Sequence, residues 1–220
     1  MEQPKIFISV GGTATAQQED FVKAIENRLR IENLIPNTVG RNKFSADAPL
    51  KAVYNLMDEC SGVMVIALER TYFEKGIEKR GGQNEMPLSE CRFATPWNQI
   101  ESAMAYAKGI PIMVIVENGV RDEGLLEKGY DWYVMKVKLD PTSLMTDEFN
   151  GVLGSWKSKM EQYHTNKSKI STSKQKLNPG ELTIGELVSN LKPSQLWAIL
   201  AALFAFMAGV FVIGQHFPAK

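Results

Sequence analysis

Apolar residues follow two rhythms along this chain. Compact runs rich in β-branched and aromatic residues, bounded by glycine or polar clusters, predict strands at Lys5 to Val10 (KIFISV), Gly62 to Leu68 (GVMVIAL), Ile110 to Val116 and Trp132 to Leu139. A shorter strand, Leu34 to Val39, is interrupted by Pro36. Between them the spacing turns helical. Phe21, Ala24, Ile25 and Leu29 mark a helix over Gln17 to Leu29, and Leu50, Val53, Tyr54 and Met57 mark a second. Thr95 as N-cap and Pro96 at the first helical position open a third, which Gly109 stops. Its expected core side is Ile100, Ala103, Met104 and Ala107. A last polar-faced helix covers roughly Glu148 to His164, while Glu69 to Ala94 reads as a polar, glycine-containing insertion.

Strands that alternate with helices, the two best of them apolar on both faces, predict an α/β domain. The expected architecture is a flavodoxin-like, five-stranded parallel sheet with helices on both faces, occupying residues 1–164. Residues 165–194 form a polar linker, in which Thr183 and Glu186 make a capping box for a short juxtamembrane helix. Residues 195–214 read as a transmembrane helix. Leu196 to Gly214 carries no charge, and at ~1.5 Å per residue it reaches ~28 Å, close to the ~30 Å hydrocarbon core of a bilayer. Lys167, Lys169, Lys174, Lys176 and Lys192 precede it against Lys220 after it, so the expected topology is single-pass with the N-terminal domain in the cytoplasm. Ala201, Ala205 and Gly209 place small side chains on one face. That stripe either permits close association of helices, and so a homo-oligomer, or reflects how common these residues are in spans.

Composition narrows the chemistry. Lys plus Arg and Asp plus Glu are both 25, giving zero formal charge, so no nucleic-acid partner is expected. The start MEQPKIFISV lacks the charged region and cleavage site of a signal peptide. Two cysteines, Cys60 and Cys91, fit a reducing compartment, and with His164 and His216 they form no metal-ligand spacing. Neither a metal nor a dissociable cofactor is expected.

In open parallel sheets, ligands bind beyond the carboxyl ends of the strands. Gly11, Gly12 and Thr13 follow the first strand, either as a phosphate-binding turn or as an ordinary tight one. Arg41 either binds phosphate or solvates a loop. Tyr72 and Trp97 either stack on a base or pack beneath the insertion. Glu101, in the second turn of the Thr95 helix, is by spacing either a solvated surface glutamate or a carboxylate projecting over the sheet edge beside Trp97.

The segments KIFISVGG (5–12), NLMDECSGVMVIAL (55–68) and QIESAMAYAKGIPIMVIVE (99–117) together resemble the nucleoside 2-deoxyribosyltransferase-like and TIR-like superfamily. In the transferases a helix of the form glutamate–small–alanine–tyrosine–alanine carries the nucleophile, and Glu101 with Ala103, Tyr106 and Ala107 is similar. The long 69–94 insertion and the apolar tail depart from the transferases, and no equivalent of their ribose-contacting aspartates is placed. The resemblance implies a membrane-anchored N-glycosidase or transferase acting on a nucleoside, nucleotide or NAD-like dinucleotide, in stress or antiviral signalling. Glu101 would be catalytic, with Gly11, Gly12, Thr13, Arg41, Tyr72 and Trp97 holding the ligand. The alternative is a non-catalytic nucleotide sensor whose clustering drives association of the transmembrane helices.

Overall fold

A computed structural model describes residues 3–129 and 132–175, and in it the sheet and the helical residues that cover it, as far as Ser168, fall within one unit, Met1–Ser168. The chain runs β1 (Lys5–Val10), α1 (Ala16–Ile31), β2 (Ile35–Asn37), α2 (Pro49–Glu59), β3 (Gly62–Ala67), β4 (Thr71–Glu78), β5 (Met86–Phe93), α3 (Pro96–Ala107), β6 (Ile112–Glu117), β7 (Val134–Val137) and α4 (Asp147–Gln175). Five strands form one sheet in the order β2-β1-β3-β6-β7, every neighbouring pair parallel. This is the expected α/β fold with its parallel sheet.

Each face of the sheet carries its own core. Ile6, Ile8, Met64, Ile66, Met113 and Ile115 pack with α1 and α4, and Phe7, Val63, Val65, Val114 and Val116 pack with α2 and α3. The central strand β3 is buried at all six positions, which is why its sequence reads as a continuous apolar run. Each such Val or Ile contributes about 1.5–3 kcal/mol of transfer free energy. Gly62 lets α4 approach: a Cβ there would lie 2.7 Å from Trp156 Cζ2 and 3.0 Å from Met160 Cγ.

Three expectations change. The Glu69 to Ala94 insertion is an antiparallel hairpin, β4 with β5, forming a separate two-stranded sheet. No residue of either strand is buried, and charged, polar and apolar residues are interleaved, so they show no core stripe in sequence. The polar linker expected from Thr165 begins as helix, since α4 continues to Gln175. In α2 the buried side is Ala52, Val53, Leu56 and Met57, whereas Leu50 and Tyr54 face outward. Among the described residues no helix is long and apolar enough to cross a membrane. The span expected at 195–214 lies outside the described residues.

Candidate active site at the carboxyl edge of the sheet

The connection out of β1 leads to β2 on one side, while the chain beyond β3 passes to β6 on the other. The carboxyl ends of β1 and β3 therefore flank the switch point at which such sheets take ligands. The helix above this point is α3. Its start is fixed as the sequence suggests, with Pro96 in the first turn and Thr95 Oγ1 accepting from the Trp97 N–H at 3.4 Å.

The helix is rolled away from its expected orientation. Asn98, Glu101, Ser102 and Ala105 form the buried stripe, at the i, i+3, i+4, i+7 spacing of a core face. Ile100, expected inward, is 41% exposed, and Glu101 is only 8% exposed. Hydrogen bonds set this roll. Asn98 Nδ2 donates to Ser9 O at 3.1 Å and to Ser9 Oγ at 2.9 Å, tying the helix to β1. Ser102 Oγ donates to Asn98 O at 2.6 Å. A lost bond at such a buried donor costs about 1–3 kcal/mol, enough to outweigh partial burial of Ile100.

Burial pushes the Glu101 carboxyl from its ordinary 4.5 up to about 7, with the Ser9 hydroxyl acting the other way by favouring the ionised form. Three residues earlier on the same stripe, Asn98 is fully buried, and its Oδ1 has no hydrogen-bond partner among the described residues. Polar groups placed where a helix ordinarily puts leucine lower stability, and such placements concentrate at functional sites.

The loop after β1 closes against this helix. A Cβ on Gly11 would lie 3.1 Å from Thr95 Cγ2, so a side chain there would press on the start of α3. Arg70 Nη1 donates to Gly12 O at 3.4 Å, and Thr13 Oγ1 donates to Glu19 Oε2 at 2.9 Å. Buried Gln18 knits three strand ends together. Its Oε1 accepts from the Ala14 N–H at 2.8 Å, and its Nε2 reaches Glu69 O at 3.0 Å and Glu117 Oε2 at 3.4 Å. Glu117 Oε2 also accepts from the Glu69 N–H at 2.7 Å.

The other candidates are distributed as follows. Trp97 is 39% exposed and one turn ahead of Glu101 on the same side of α3. Tyr72 stands on the hairpin with Arg92 Cζ 6.0 Å from its ring centroid. Arg41 is fully engaged by carboxylates: Nη1 and Nη2 grip Glu19 at 2.8 and 2.7 Å, and Nε reaches Glu26 at 2.8 Å. That clamp holds the Glu19 carboxyl down at about 2, Thr13 adding to it. The Gly11 to Thr13 turn thus lies against the start of α3, Glu101 lies further along that helix against Ser9 of β1, and Arg41 reaches Thr13 through Glu19. Ser9, Asn98 and Gln18 escape the sequence reading, although polar residues at core spacing on α3 are a signal that a count of buried-stripe positions would register. Among the described residues no group of three or more His, Cys, Asp or Glu could hold a metal ion.

No family model matches the chain, and no curated protein matches it. Among solved structures, a CMP N-glycosidase from Clostridium botulinum, BcmB, is similar over 51% of this chain and 71% of its own, at 18% identity and a TM-score of 0.30. A likeness of that extent identifies neither a family nor a reaction.

Proposed function

We propose that this domain cleaves, or transfers at, the N-glycosidic bond of a nucleoside, nucleotide or NAD-like dinucleotide, with Glu101 as its catalytic carboxylate. The observation that carries the reading is a carboxyl buried on the sheet-facing stripe of α3, beside the switch point, with its pKa raised to about 7. A poorly solvated carboxylate is stabilised when positive charge develops next to it. Departure of the base breaks the C1′–N bond, sends the electron pair to the base and leaves an oxocarbenium-like sugar. Glu101 either stabilises that charge or bonds to C1′, after which water or an acceptor completes the exchange.

The neighbours take supporting roles in this proposal. The turn Gly11 to Thr13 precedes α1, so its backbone and the helix start favour the anionic end of a nucleotide, with Arg70 alongside. Arg41 acts as a positioning residue, holding Glu19 and through it Thr13. Trp97 supplies an aromatic wall for the base. We keep the apolar run Leu196 to Gly214 as a membrane span that would hold the domain at a cytoplasmic surface, with contact between copies along its small-residue face.

The test is release of free base from a panel of ribonucleosides, deoxyribonucleosides, nucleotides and NAD. Glu101→Gln should lower release by about a thousandfold while leaving ligand affinity within a few-fold. Saturable binding without turnover, indifferent to this change, would instead support a nucleotide sensor.

A further inference from the structure

A second concavity lies at the opposite, amino-terminal edge of the sheet, between the end of α3, the start of β6 and the first turns of α4. The sheet register creates it. Ile112 and Met113 pair with Val63 and Met64 of β3, but pairing with β7 begins only at Val114 with Val134. The flank of β6 below that point is left to side chains, and the gap has a volume of about 450 Å³, within the usual range of small-molecule pockets.

Its walls are aromatic and short of hydrogen-bonding capacity. Tyr106, Trp132, Tyr133 and Trp156 line it, the first two packed edge to face with centroids 5.6 Å apart. Trp132 Nε1 is spent on Leu125 O at 3.1 Å, Trp156 Nε1 on Pro111 O at 3.0 Å, and the Tyr133 hydroxyl on Glu148 Oε1 at 2.7 Å. Trp132, Trp156 and Tyr133 therefore offer the cavity mainly their carbon surfaces. The single ionisable amine in the lining is Lys159, which has no hydrogen bond or ion pair among the described residues, and no carboxylate lines the cavity. Gly151, in the α4 wall, keeps the space open: a Cβ built there meets nothing within 4 Å.

We infer that this cleft binds a single-tailed amphipathic anion, an apolar body carrying one carboxylate, with the body against the aromatic walls and the acid on Lys159. The ligand class follows from charge complementarity: a mainly apolar wall with the Ser155 hydroxyl in it, one cation at Lys159, and no carboxylate in the lining, the nearby Glu148 being engaged by the Tyr133 hydroxyl. The site is separate from Glu101 and stands whether or not the glycosidase reading holds.

The experiment is a calorimetric and tryptophan-fluorescence titration of the full chain with monomeric dodecanoate, dodecanol and dodecylamine, alongside anionic phospholipid vesicles. Dodecanoate should bind saturably at one per chain, about three- to fivefold more tightly than dodecanol and more tightly still than dodecylamine, as expected for one rim ion pair. Lys159→Met should remove that advantage and leave dodecanol binding unchanged. A Cβ at Gly151 meets nothing within 4 Å, so Gly151→Leu can extend into the cleft, and it should abolish binding of both while the circular dichroism spectrum stays the same. Dodecanoate binding that persists in Gly151→Leu overturns the site. Equal affinity for the three headgroups, or no effect of Lys159→Met, overturns the anion assignment. Vesicle binding that Gly151→Leu removes would overturn the choice of a free ligand over a bilayer lipid.

Discussion

Replacing Glu101 with Gln should make the protein more stable at alkaline pH, and the size of the gain follows from its burial. The folded chain holds the Glu101 proton at about 7 against an ordinary 4.5. The folded state therefore binds this proton more tightly than the unfolded chain does, so stability falls as pH rises from 4.5 through 7. A rise of that size corresponds to a penalty of about 3 kcal/mol on the folded state, fully present above neutrality and absent below pH 4.5. Gln has nearly the same shape and no charge, so it escapes the loss. For a domain of this length about 3 kcal/mol moves Tm by roughly 6–12 °C. Thermal melts of wild type and Glu101→Gln, followed by near-UV circular dichroism, should coincide at about pH 4 and separate progressively to about pH 8. Parallel melting curves across that range would refute the burial of this carboxyl. A variant less stable at high pH would mean that the ionised form is held by a cation, contrary to the desolvation described.

Other expected outcomes follow from neighbouring contacts. Arg41→Met should destabilise the fold at neutral pH by about 1–3 kcal/mol, because it leaves Glu19 and the mostly buried Glu26 without their main partner. Since Glu19 sits at about 2 when paired, the deficit should shrink in denaturant melts as pH falls from 4.5 towards 2 and the carboxylate takes up its proton. Gly62→Ala should cost about 1–3 kcal/mol in urea denaturation, because its Cβ would overlap Trp156 at 2.7 Å. Truncation after Pro193 should move the protein from the membrane pellet to the supernatant on cell fractionation, and unchanged fractionation would refute the anchor.

How much of this was legible in sequence depended on what each segment packs against. GVMVIA in β3 announces a central strand because helices cover both of its faces. The hairpin is silent in the same terms. Its residues pair chiefly with one another, meeting the core through the Arg92–Val120 bridge, and Tyr72, Phe73, Ile77 and Met86 remain exposed. The boundaries of α3 were readable from Thr95, Pro96 and Gly109, since caps act locally. Its roll was not, because hydrophobicity favours turning Ile100 inward. The Asn98 to Ser9 hydrogen bonds, which join residues 89 positions apart, decide otherwise. That reversal turns Glu101 from the outward-facing residue implied by the pattern into the buried carboxyl of the candidate site.

Quantified release of free base by wild type, Glu101→Gln and Glu101→Asp, across the nucleoside, nucleotide and NAD panel, tests the central claim most directly. The account predicts turnover by wild type on at least one member, weak residual turnover by Glu101→Asp, and a loss of about a thousandfold in Glu101→Gln. Release at the wild-type rate by Glu101→Gln, or no release from any substrate by the wild type, would contradict it.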